Sequence, residues 1–143
     1  MLANPGSAQA QENTGYQFDS PEFLATQLTW GVAHGVRLLA LACARAGKIG
    51  MSQAAETWVS WQEREQATIL SMQDELGRFY FELEGLAPDV IAAALGLKHA
   101  LALPEDELAP ACASLPEALV QPRYDLKSRR DEVLAKRREA LLK

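Results

Sequence analysis

Histidine and cysteine are scarce in this chain of 143 residues, which holds two of each. His34 and His99 lie far apart with no His-x-x-x-His pair, and the cysteines have no Cys-x-x-Cys spacing. A zinc or copper centre would have to gather ligands from distant segments, so no metal is expected. Long apolar runs are missing too. The most apolar stretch, residues 30–46, contains His34, Arg37 and Arg45. It falls short of the ~20 clean apolar residues that a transmembrane segment needs. Basic charge is not in excess: the net charge is −5, which argues against nucleic acid as a general partner. No strand-like alternation and no internal repeat stands out. A phosphate-binding glycine loop, a nucleophile elbow and a Ser/His/Asp arrangement are likewise missing. The chain therefore reads as non-enzymatic, with no cofactor.

What is present fits one globular domain. The chain is 48% hydrophobic and 23% charged, and this length buries a real core without a metal or disulfide staple. Charge is unevenly placed. Residues 122–143 carry eight Lys/Arg against four Asp/Glu, so an acidic body precedes a basic end. That end either docks on its own body or forms a contact arm for an acidic partner or a membrane surface.

The first 17 residues are small, polar and aperiodic, and they read as a disordered tail or the remnant of a signal peptide. Asn4-Pro5-Gly6-Ser7 precedes Ala8-x-Ala10, the small-residue pattern of a signal-peptidase site, which would leave Gln11 first. The chain is accordingly expected in the periplasm or secreted, as a bacterial cell-envelope protein. In that setting Cys43 and Cys112, an isolated pair, are expected to form one structural disulfide.

Residues 18–143 read as a single all-α domain, a bundle built on one long antiparallel helical hairpin with shorter C-terminal helices. The first arm spans about 20–47. Pro21 suits its first position and Asp19-x-x-Glu22 resembles a capping box. Apolar residues on most of its sides mark it as the centre of a bundle. Gly31-x-x-x-Gly35 would admit a close neighbour. The turn falls at Gly47-Lys48-Ile49-Gly50, and Ser52 caps the second arm, which spans about 52–84 and stops at Gly85. Its length is roughly 50 Å at 1.5 Å per residue. Gly77 inside it marks a close approach or a bend. A third helix is expected from Pro88 to about Leu101. One or two short helices follow Pro104, limited by Pro110 and Pro116. A last helix runs from about Asp125, with Leu126, Val133, Leu134, Leu141 and Leu142 on a modest apolar face.

One spot breaks the apolar pattern. The seam of the second arm runs through Ala55, Trp58, Gln62, Glu65, Ile69, Met72 and Leu76, polar only at Gln62 and Glu65. A hairpin folded near residues 48–50 sets Arg37 opposite residues 61–63 and His34 opposite 64–66, with Trp30, Trp58 and Trp61 as neighbours. Read as structure, Arg37 pairs with Glu65 or Glu63, His34 bonds nearby, and the cluster sets register. Read as a site, it is a tryptophan-lined pocket for a small ligand, or an acid/base pair. Two functions follow as expectations. The first is a binding protein acting on a protein partner, as a chaperone, adaptor, inhibitor or immunity factor does. The second is a sensor of a small ligand or metal in the pocket. A 50 Å helix with shorter neighbours also invites a homodimer.

Overall fold

The computed structural model describes residues 15–46 and 51–142, and residues 51–55 by their backbone alone. The signal-like segment, the turn at 47–50, the Ser52 cap and the Ala55 side chain lie outside the described residues. The helices are α1 (Pro21–Arg45), α2 (Met51–Phe81), α3 (Pro88–Ala94), α4 (Glu105–Ala118) and α5 (Leu126–Leu141), with a 3-10 turn at Pro122–Tyr124. The all-α class and the long antiparallel hairpin of α1 and α2 stand as the sequence reads. No strand occurs among the described residues.

Helix α1 is the axis of the bundle and touches every other α-helix. Its buried positions cover most of its circumference, from Leu24 and Trp30 to Val36, Leu38 and Cys43. Its cap is Ser20 rather than the expected Asp19. The Ser20 hydroxyl accepts from the Phe23 amide and donates to Glu22, so the capping residues sit one position later. Near the other end of α1, Cys43 is bonded to Cys112 of α4, with Cα atoms 5.7 Å apart and both side chains buried. Closing a loop of 69 residues stabilises the fold by about 4 kcal/mol in the chain-entropy treatment.

Helix α2 stops at Phe81, three residues before the expected end. Glu82 adopts φ of 59° and the chain folds back over its own helix. The Leu83 amide donates to the Gly77 carbonyl, the Gly85 amide to Asp74 Oδ1, and Gln73 Nε2 to the Leu86 carbonyl. A Cβ on Gly77 would lie 2.5 Å from the Leu83 oxygen, so the close approach read from the sequence is a backbone contact. Helix α3 is also shorter than expected. It ends at Ala94 rather than near Leu101, because Gly96 at φ 74° closes a Schellman motif. The Leu97 amide bonds to the Ala92 carbonyl and the Gly96 amide to the Ala93 carbonyl. In α4 both prolines lie inside one helix of 14 residues. Leu108, Cys112 and Leu115 bury one side of it, and the disulfide lies between the prolines.

The basic C-terminal segment packs on the body. Helix α5 runs antiparallel to α1: Arg130 Nε donates to Thr26 Oγ1 at 2.9 Å and Arg138 pairs with Glu22 at 2.7 Å. That guanidinium lowers the Glu22 pKa. The expected apolar face is shorter than read. Leu126 and Val133 are buried, whereas Leu141 and Leu142 are 72% and 88% exposed. Most of what α5 offers α1 is polar, so its last turn has no apolar surface to cover.

Residues 15–17 are held to the body. The fully buried Gln27 amide accepts from the Gln17 N–H and donates to the Gln17 carbonyl, both at 2.8 Å. Tyr80 Oη donates to the Gly15 carbonyl at 2.7 Å, and the Gly15 amide donates to the Ala94 carbonyl. A buried amide needs partners for both its ends, and this backbone supplies them. Tyr16 reaches the Gly31 position, where a Cβ would lie 3.1 Å from its hydroxyl, while Gly35 opens on free space.

Two expectations follow. Alanine is the better helix former by about 1 kcal/mol, yet Gly77→Ala is expected to lose about 1–3 kcal/mol in urea denaturation through the clash with Leu83; a stabilised variant would contradict the fold-back. Burial, with the Tyr16 hydroxyl nearby, pushes the Tyr80 hydroxyl up to about 12. The folded state thus holds this proton more tightly than the unfolded chain does. Its contribution is complete below the ordinary tyrosine pKa of about 10 and is lost as pH rises toward the folded value. Urea midpoints across that range are expected to fall in the wild type, with a smaller fall in Tyr80→Phe.

Candidate functional site

Side-chain contacts set the register of the hairpin. Phe23 packs on Phe79 with ring centroids 4.3 Å apart, and Trp30 Nε1 donates to Gln73 Oε1 at 3.2 Å. These partners lie about one helical turn further along α2 than a fold at residues 48–50 dictates. The connection between helices need not be symmetric, and aromatic packing at the far end wins. The expected match of Arg37 with Glu65 or Glu63 is not formed, because the Glu65 carboxylate is turned to the Leu126 amide and Arg64 while Arg37 meets Asp89.

Between that packed end and the turn, α1 and α2 leave a cleft of about 210 Å³. Trp30, Ala33, His34 and Arg37 line it from α1. Trp58, Trp61, Gln62, Gln66, Ile69, Leu70 and Gln73 line it from α2, and Pro88 from the start of α3. Of the seven residues singled out in the sequence, six meet here and Glu65 does not.

The tryptophans are anchored by their polar ends. The Trp30 N–H is held by Gln73, and the Trp61 N–H donates to the Tyr124 carbonyl at 2.8 Å. These two residues offer the cleft hydrocarbon and π surface rather than donors. His34 stacks on Trp30, centroids 5.2 Å apart and 10° from parallel. Its Nε2 lies 2.7 Å from the Lys98 carbonyl. A carbonyl only accepts, so Nε2 carries a hydrogen. Nδ1 is buried and has no partner. Arg37 Nη1 meets Asp89 Oδ1 at 3.3 Å. No Asp or Glu lines the cleft. Among the described residues no three His, Cys, Asp or Glu side chains gather as a metal site. No described helix is long and apolar enough to cross a membrane.

Glu65 has a different partner. It is 6% exposed, and its Oε1 accepts from the Leu126 amide at 2.8 Å, at the first residue of α5. Its Oε2 accepts from Arg64 Nε at 3.1 Å. A carboxylate at a helix N-terminus meets unpaired amides and the positive end of the helix dipole. One turn earlier Trp61 holds the Tyr124 carbonyl. The polar break in the α2 seam is thus half cleft wall, at Gln62, and half docking point for the last helix, at Glu65.

Sequence reasoning missed Ala33, Gln66, Leu70, Gln73, Pro88 and Asp89. A signal existed for Gln66 and Leu70, because Trp58, Gln62, Gln66 and Leu70 follow one another at steps of four and form one row on α2. None existed for Pro88 and Asp89, which arrive through the fold-back over Gly77.

Glu65→Ala is expected to lower stability by about 1–3 kcal/mol, since it strands the buried Leu126 amide. Glu65→Gln keeps an acceptor and is expected to lose less. Thermal denaturation gives the order, and faster hydrogen exchange at Leu126 in the alanine variant gives the place.

Comparison with known proteins yields no match: no family model fits the chain, and no curated protein or solved structure is significantly similar to it.

Proposed function

We propose that this chain is an exported, non-enzymatic binding protein that takes a small ligand into the cleft between α1 and α2. The observation that carries the reading is the convergence of all three tryptophans of the chain on one cavity. A concave, largely apolar site with a few polar groups is the usual form of a small-molecule site. Six of its lining residues come from the stretch where both arms of the hairpin turn polar in an otherwise apolar seam. Export is supported by the disulfide, since such bonds persist in oxidising compartments and are rare in the cytosol.

A second reading is that a protein partner docks at the same face. Leu70 and Val59 of α2 favour it, because these large apolar side chains are 48% and 45% exposed. The basic end of the chain supports this reading less, as Arg130 and Arg138 are engaged with α1.

Benzyl alcohol, a neutral single-ring probe, is expected to change the tryptophan emission saturably. Trp58→Ala is expected to weaken that binding by about tenfold through lost aromatic surface. A linear, non-saturating response in the wild type would remove the small-ligand reading. Capture of a protein partner that Leu70→Glu abolishes would favour the second.

A further inference from the structure

We propose that the ligand of this cleft is a small aromatic acid, its ring against the tryptophans and its carboxylate on Arg37, and that Asp89 holds the place of that carboxylate when the cleft is empty. The inference rests on the cleft being a ligand site and adds the class of ligand. It starts from charge. The chain is acidic, with 19 Asp/Glu against 14 Lys/Arg, yet Arg37 alone among the lining residues is charged. A cleft whose lining holds one guanidinium and no carboxylate, with Asp89 meeting that guanidinium from just outside the lining, can take an anion in the place of Asp89. A ring of tryptophans without that guanidinium would suit a cation instead.

The Arg37–Asp89 pair supplies the geometry. The contact is a single one at 3.3 Å, longer than the 2.7–2.9 Å of a good charge-assisted bond. Both partners are partly open to solvent, at 32% and 62%, and such pairs are weak. A guanidinium has five N–H donors in a planar fork that suits a bidentate carboxylate. Asp89 directly follows Pro88, which lines the cleft. The carboxylate that Arg37 already holds thus marks where a ligand's carboxylate would sit. A ligand making two parallel bonds, with its ring desolvated on Trp58 and Ile69, displaces a partner making one. The volume of about 210 Å³ lies below the ~300–1,000 Å³ of drug-sized ligand sites and suits one or two rings.

The test uses the full chain labelled with nitrogen-15 and follows the three tryptophan indole N–H signals. Benzoate, benzyl alcohol and benzyltrimethylammonium share one ring and differ in charge. Benzoate is expected to bind about tenfold tighter than benzyl alcohol, with the ammonium ion weakest. Arg37→Gln is expected to bring benzoate down to the level of the alcohol. Asp89→Asn is expected to tighten benzoate by about threefold, since it removes the competitor. Both side chains are partly exposed, and undisturbed signals elsewhere in the spectrum establish that the variants fold. Equal binding of benzoate and benzyl alcohol in the wild type, or strongest binding of the ammonium ion, overturns the anion assignment while leaving the site. Unchanged benzoate affinity in Asp89→Asn overturns the competition. Silence of all three indole signals toward every probe overturns the site itself.

Discussion

The structure depends on one constraint, the satisfaction of polar groups on a helix that is buried on most of its sides. Helix α1 carries Thr26, Gln27, Thr29 and His34 into the interior. Each buried polar atom left without a partner costs on the order of 1–3 kcal/mol. Nearly every other element answers one of these demands. Residues 15–17 satisfy Gln27, α5 brings Arg130 to Thr26, and the segment after α3 brings the Lys98 carbonyl to His34. Only the Thr29 hydroxyl and His34 Nδ1 lack a partner among the buried side-chain atoms described. The chain around α1 is ordered by hydrogen bonds as much as by apolar contact.

Helix α2 meets the other elements in the same way. Tyr80 and Gln73 at its far end tie down Gly15 and Leu86, while Trp61 and Glu65 near its middle hold the start of α5. These contacts fall on the sides of the hairpin that other elements cover. The remaining side, along Trp58, Gln62, Gln66 and Leu70, stays open because α3 is short and reaches it only at Pro88. The cleft is therefore a consequence of two chain reversals, at Glu82 and at Gly96. A longer α3, as the residues to Leu101 suggest on propensity alone, would have carried different groups to His34.

Much of the scaffold was legible in local residue patterns. Apolar residues around all sides of α1 and three–four spacing along α2 identify the hairpin, and Pro21, Pro88 and Asp125 mark helix starts. Six of the seven singled-out side chains share one cavity, because residues at steps of three and four fall on one face whatever the exact register. Their partners were not legible. Arg37 meets Asp89 instead of Glu65, since Glu65 faces the start of the last helix, away from the cleft, and which side of a helix a neighbour covers is not written in its own spacing. The reversal begins at Glu82, three residues before the Gly85 that marks the helix end in the sequence. Its cause is Gly77, five residues earlier, whose missing side chain lets the Leu83 carbonyl approach.

The sequence by itself determined the two arms of the hairpin, their apolar faces, and the confinement of tryptophan and of the polar break to one stretch of them. These follow from rotations of about 100° per residue and need no knowledge of neighbours. Tertiary structure alone decided the register of the hairpin, the docking of the basic end on α1 in place of a free arm, and the placing of Asp89 beside Arg37. Each is a meeting of segments distant in sequence. Such meetings are selected by side-chain interlock and by pairing of buried polar groups, which no local pattern encodes.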